Sequence, residues 1–364
     1  MVLVPPRLST APLTTPAAAD AAARAAVFPR VRWMGSRHQL LPHLAQAFAD
    51  IAPAAGPGSA LDAFSGSGVV SYLLKHQGWS VHSNDYLGFP GVVASAGVVN
   101  HDTVLSGDDV ERILGPAADE RDFVRRTFTG VYFTPDDLAF LDSAWSHIDT
   151  MSGGGRAVAI AALCLAAARK QPRGVFTLTG DLSRYDDGRR DLRLSLREHF
   201  VERVADYNAA VFAGPRECTV SSLEVGELPQ RRHDLVYLDP PYAPPADDND
   251  YTKRFHFLEG LSRYWVGDTI MWDTKSRKLP KRVTKYSSRR TIEEAFREVF
   301  KQFHDSPLVL SYSSNALPDL ETLVRLLREV KDEVEVRRVP HTYHYGTHRA
   351  AVRRSVDEYL FLAR

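Results

Sequence analysis

The chain has 364 residues, 44% hydrophobic and 25% charged, with 45 basic and 45 acidic side chains. Such a chain is an ordinary soluble globular protein of one large domain or two smaller ones, and its zero net charge argues against a uniformly basic nucleic-acid-binding coat while leaving local patches open. Cys164 and Cys218 are too few for a disulfide framework, no Cys/His cluster has zinc spacing, and both facts fit a reducing cytoplasm.

The N-terminal "MVLVPPRLSTAPLTTPAAADAAARAA" is rich in Ala, Pro and Thr. It lacks a continuous apolar core behind a basic start, so it does not read as a signal peptide. Residues 1–30 are expected to be a flexible tail. From residue 31, strand-like runs recur: "SALDAFS" (59–65), "WSVHSND" (79–85), "ECTVSS" (217–222), "HDLVYLD" (233–239), "PLVLSYSS" (307–314), "EVEVRRV" (333–339) and "EYLFLA" (358–363). Helical patterns lie between several of them, as in "GVVSYLLKHQG" (68–78), "TIEEAFREVFKQF" (291–303) and "LPDLETLVRLLREV" (317–330). This alternation predicts an α/β fold with a doubly wound, Rossmann-like, mostly parallel sheet. Only a polar loop joins the last two strands, which are therefore expected to pair antiparallel. The alternation breaks over 101–216, which reads as helix and loop. That stretch is expected to be an inserted, mostly helical domain, dividing the sheet domain into 31–100 and 217–364. The longest apolar run, "AVAIAALCLAAA" (157–168), has twelve residues and is too short to span a bilayer, so no membrane association is expected.

Two places carry chemistry. In "LDAFSGSG" (61–68), Gly66 and Gly68 follow a strand and open a helix, a turn that lets a ligand approach the helix N-terminus. Asp62 precedes that turn. Asp85 ends the next strand about 20 residues on, where a carboxylate can accept from both ribose hydroxyls of an adenosine. The spacing is not G-x-G-x-x-G, so the dinucleotide fingerprint does not apply. The second place is "DPPY", Asp239-Pro240-Pro241-Tyr242, which halts the run Leu235–Leu238 at the strand end where ligands bind in open α/β sheets. The prolines fix φ and remove two backbone donors. Asp239 and the Pro240 carbonyl can then present two acceptors to one aromatic amine. Hydrogen bonds to both amine hydrogens localise its lone pair and make it a nucleophile. Tyr242 supplies a flat face for the base. A base inside a duplex would have to be flipped out to reach such a site. The plain alternative is a rigid turn after a core strand.

These residues resemble the Dam-like DNA amino-methyltransferases of the D12 class, with the α order of motifs. "RWMGSR" (32–37) is similar to the family's K-W-x-G-[SG]-K, "DAFSGSG" to its D-x-F-x-G-x-G donor motif, "SNDY" (83–86) to its acidic motif and "DPPY" to its catalytic motif. "LVLSYSSN" (308–315) resembles a later strand, and "ARKQPRGVFTLTG" and "RYDDGRRDLR" resemble the insertion that carries target recognition. The likeness runs from about residue 31 onward. It implies S-adenosylmethionine as cofactor, with Trp33, Gly35 and Arg37 at its methionine end, Asp62, Phe64, Gly66 and Gly68 around the donor, and Asp85 and Tyr86 at its ribose. Asp239 would sit between donor and target amine. Arg32 and Arg37 replace the usual lysines, and Ser221 and Ser222 fall where relatives often carry an aspartate near the cofactor adenine.

"TKSRKLPKRVTKYSSRR" (274–290) holds eight Lys/Arg and no acid, a composition suited to phosphates; a solvated basic face is the plain alternative. The expected DNA contacts are Lys275, Arg277, Lys278, Lys281 and Arg282 there, Lys170 and Arg173 in "RKQPRG", Arg189 and Arg190 in "DDGRRDLR", and Arg32. The expected activity is methylation of adenine N6 at specific sites in double-stranded DNA. A cognate restriction endonuclease is a possible partner, and a monomer is plausible. The alternatives are cytosine N4 in DNA, adenine in ribosomal RNA, a protein glutamine amide, and a DNA-binding module without catalysis. A nicotinamide dehydrogenase is disfavoured, because no catalytic dyad appears.

Overall fold

In the computed structural model the described residues are 8–10, 14–31, 37–172, 174–177, 183, 188–242, 250–343 and 354–364. Arg32, Trp33, Gly35 and Arg173 lie outside them.

Eight strands form one sheet: β1 (Leu8–Thr10), β2 (Ser59–Asp62), β3 (Ser80–Asn84), β4 (Thr219–Ser221), β5 (Leu235–Leu238), β6 (Leu308–Ser313), β7 (Val334–Tyr343) and β8 (Arg354–Ala363). Their order is β1-β7-β8-β6-β5-β2-β3-β4. Every pairing is parallel except those of β8, which runs antiparallel to both β6 and β7. The molecule is thus an α/β protein with a mostly parallel mixed sheet, an arrangement compatible with a methyltransferase fold. The chain leaves β2 towards β3 on one side and returns with β5 on the other. The strand order therefore switches direction at β2, and the crevice above β2 and β5 is where such sheets bind ligands.

The central strands are buried on both faces, which is why they read as apolar runs. Ala60, Leu235, Tyr237 and Val309 point into one core, while Leu61, Val236, Leu238, Leu308 and Leu310 point into the other. This alternation is the two-residue period of a strand. Helices Ile292–Gln302 and Leu320–Arg328 cover the second face. The first face is covered by helices from the N-terminus and from between β3 and β4.

Two expectations differ from what is observed. Residues 16–25 are not a tail: Thr15 caps helix Pro16–Ala25, with Pro at its first turn. Ala18, Ala21, Ala22 and Ala25 form its buried stripe, and Phe28 packs on Tyr72 at 4.6 Å between ring centroids. Small side chains let this helix sit close to its neighbours, and alanines carry little hydrophobic signal in a sequence. Secondly, the described residues between β3 and β4 are helical, including Pro135–Ile148, Gly153–Lys170 and Leu196–Ala210, but they have no core of their own. Leu163, Ala166 and Phe200 belong to the same cluster as Ala60 and Tyr237 of the sheet.

Candidate active site

The glycine turn sits on top of β2, held from both sides. Ala63 N–H donates to the Tyr237 carbonyl at the end of β5, and Ser65 N–H to the Asn84 carbonyl at the end of β3. Gly66 (φ 47°) and Gly68 (φ 79°) are left-handed, which strains any other residue. A Cβ on Gly68 would also lie 3.2 Å from the Phe28 ring. Asp85 is buried and accepts from Gly66 N–H and Leu87 N–H, both at 3.0 Å. The acidic residue thus ties the turn to the next strand. Burial pushes its carboxyl up to about 7, against the pull of those two N–H groups.

Asp62 lies beneath the turn and is fully buried. Ser71 donates to Oδ2 at 2.7 Å, while Oδ1 has no hydrogen-bond partner among the described residues. Burial pushes this carboxyl up to about 7 as well; the Ser71 hydroxyl and the Phe64 N–H favour the ionised form. Two neighbouring buried carboxyls, one with an unsatisfied oxygen, suit a cationic ligand that supplies N–H donors.

Above them, Ala63, Phe64, Tyr86, Leu223, Glu224, Val225, Pro241, Thr284 and Tyr286 line a cleft with aromatic walls. Tyr286 meets Phe64 edge to face at 5.3 Å. Arg282 donates to the Tyr86 carbonyl at 2.6 Å and lies over the Tyr86 ring, bracing that wall. Ser221 does not stand in for an aspartate here: its hydroxyl donates to Asn84 at 2.7 Å and meets His82. The residues just after it, Leu223 to Val225, reach the cleft instead.

The "DPPY" turn caps β5 beside this cleft. Arg37 forks onto Asp239, with Nε 2.7 Å from Oδ2 and Nη2 on Oδ1. Nη2 also meets the Tyr242 hydroxyl, and Nη1 lies 3.2 Å from Glu358. Tyr242 donates to Glu358 at 3.1 Å and packs edge to face on Tyr312 at 4.8 Å. Burial pushes the Asp239 carboxyl up, opposed by Arg37 and by a hydrogen bond from Ser311. A carboxylate has about four acceptor sites, so Asp239 can hold Arg37 and Ser311 and still accept a further N–H.

Of the site residues read from sequence, Arg37, Asp62, Phe64, Gly66, Gly68, Asp85, Tyr86, Asp239, Pro240, Pro241 and Tyr242 gather at this one end of the sheet. Lys170 does not: it is buried, 2.9 Å from Asp137, and donates to the Leu194 carbonyl, so it is unavailable to a phosphate. Arg190 is exposed but paired with Glu202, and Arg189 donates to the Pro172 carbonyl at 3.2 Å. Lys275, Lys281 and Arg282 are exposed, and Arg277 and Lys278 are half-buried. Sequence reasoning missed Glu358, Ser311 and Tyr286. Glu358 carried a signal, a charge opening the apolar run "EYLFLA". Because β8 is antiparallel, Glu358 within it lies opposite Ser313, the last residue of β6.

No helix among the described residues is long and apolar enough to cross a membrane, and none of those residues form a metal-binding group. No family model and no solved structure matches the chain. It is similar to Type II methyltransferase M2.HphI of Haemophilus parahaemolyticus, 26% identical over 330 residues, spanning 87% of this chain and 92% of that protein. Shorter matches are Modification methylase StsI of Streptococcus sanguinis, 23% identical over 42% of this chain and 23% of that protein, and Modification methylase LlaI of Lactococcus lactis subsp. lactis, 28% identical over 26% of this chain and 14% of that protein.

Proposed function

We propose that this protein is a DNA methyltransferase that modifies the exocyclic N6 of an adenine flipped out of a duplex. The observation that carries the reading is the placement of Asp239 and Tyr242 beside a cleft headed by the Gly66–Gly68 turn. Its near full-length likeness to a type II methyltransferase supports it.

S-adenosylmethionine supplies the methyl group when bound. The unsatisfied Asp62 oxygen and the aromatic cleft fit such a molecule, with its cationic amine and its adenine. Asp62 would hold the amine, Asp85 the ribose, and Phe64, Tyr86 and Tyr286 the base. Asp239 and the Pro240 carbonyl accept from the target amine and orient its lone pair. Asp239 then takes the amine proton, and a carboxyl raised by burial is a stronger base than a solvated one. Arg37 holds Asp239 in place. Positioning and electrostatics do the rest.

The helices between β3 and β4 and the basic 274–290 segment are the proposed DNA-facing elements, with Lys170 removed from the contact set. Site specificity, a restriction partner and a cytoplasmic setting belong to the same reading. The test is incubation with labelled donor and mixed unmethylated genomic DNA, followed by mass spectrometry of the nucleosides. N6-methyldeoxyadenosine is expected. N4-methyldeoxycytidine would keep the mechanism and change the base. Unlabelled DNA, with donor still bound, would overturn the reading and turn attention to RNA or a protein amide.

A further inference from the structure

Trp272 is 59% exposed, whereas Trp79, Trp145 and Trp265 are buried. Among the described tryptophans, Trp272 is the one whose indole is exposed. Its setting is rigid. Met271 N–H donates to the Lys278 carbonyl at 2.9 Å, closing a short loop. Inside it, Thr274 N–H donates to Met271 and Arg277 N–H to Thr274, with Arg277 left-handed at φ 49°. The Thr274 hydroxyl bonds the Met271 carbonyl at 2.7 Å. At the base, the Ser276 carbonyl accepts from Tyr132, whose hydroxyl also meets His256 at 2.9 Å in the buried core. Arg277 reaches back to the Trp272 carbonyl and lies 5.6 Å over the indole.

The loop is also basic and close to the cleft. Lys275, Arg277 and Lys278 sit in it against one acid, Asp273, and Lys281 and Arg282 follow. Arg282 braces Tyr86 on the cleft wall. Lys278 and Arg282 are four positions apart, so at ~3.6 Å per residue their Cα atoms lie within about 14 Å of each other. The cations proposed to hold a duplex over the cleft therefore belong to the same segment as the indole.

We propose that Trp272 is a stacking wedge that enters the duplex beside the target base and stabilises its flipped state; this rests on the DNA-methylation reading above. Flipping loses the stacking of one base, and an inserted apolar side chain restores part of it. A phosphate-contacting loop would need the lysines but not the indole, and a loop stiffened by core hydrogen bonds gives the ring a fixed position. Stacking on an aromatic ring is worth roughly five- to 150-fold, about 1–3 kcal/mol at about 1.4 kcal/mol per tenfold.

The test is single-turnover methyl transfer at a mapped site, comparing Trp272→Ala, Trp272→Phe and the wild type. Each acts on duplexes whose target adenine is either paired with thymine or set opposite an abasic position. The wedge predicts a tenfold or larger slowing by Trp272→Ala on the paired duplex, recovery to within about threefold on the abasic one, and an intermediate Trp272→Phe. Equal slowing on both duplexes, or none on either, would overturn it while leaving the methylation reading intact. Failure of the wild type on both would remove the parent reading and this one together.

Discussion

Arg37 is shared by two carboxylates, Asp239 and Glu358, and that charge count decides what each substitution costs. Replacing Arg37 with Met leaves two neighbouring carboxylates without their cation, a change expected to cost about 3–5 kcal/mol. Glu358→Gln keeps a balanced Arg37–Asp239 pair and should cost far less. Urea unfolding midpoints measure both, and equal losses would mean that packing, not charge, dominates there. Asp62 gives a second test at this scale. Burial raises its folded-state carboxyl to about 7, above the ordinary value of about 3.9. The folded state therefore binds a proton that the unfolded state sheds as pH rises. The stability this contributes is whole below about pH 4 and lost by about pH 7. Without donor, Asp62→Asn should therefore gain stability relative to the wild type as pH climbs from 4 to 7, then level off. A difference that is flat with pH would contradict the assignment.

Among the elements, β2, β5 and β6 were legible because a strand buried on both faces has to be an apolar run, and turn residues end it. The same logic placed Asp239 at a strand end. What the sequence hid was direction in space. Lys170 looks like part of a basic loop in "RKQPRG", yet it closes helix Gly153–Lys170 facing inward onto Asp137. Glu358 looks like a strand end, yet the antiparallel course of β8 delivers it to the site. The contrast between Lys170 and the 274–290 segment is measurable. Lys170→Met should destabilise the fold by about 3–5 kcal/mol, the cost of stranding Asp137. The salt dependence of DNA binding should stay unchanged. Lys281→Ala should leave stability within about 0.5 kcal/mol and reduce the slope of log K against log salt by about 0.9. A slope that falls with Lys170→Met would return that residue to the DNA contacts.

For the whole molecule, the α/β class and the placement of the two motifs at one end of the sheet could be read from the order of runs and turns, because a switch point forms wherever neighbouring parallel strands leave in opposite directions. The joining of the parts could not. Alanine stripes such as Ala18, Ala21, Ala22 and Ala25 bury little area each, so nothing in the sequence marked helix Pro16–Ala25 as core. Deleting residues 1–26 removes β1 and the four buried alanine methyls, and at ~0.8 kcal/mol per methyl-sized group it should cost at least about 3 kcal/mol. No change in unfolding would restore the flexible-tail expectation. The central claim is that Asp239 acts on the target amine rather than merely shaping a turn. Its most direct test is single-turnover methyl transfer to DNA by Asp239→Asn, with donor affinity measured alongside. The account predicts donor binding close to wild type and a transfer rate lower by roughly 10²–10⁴-fold. An undiminished rate at equal donor occupancy would contradict it.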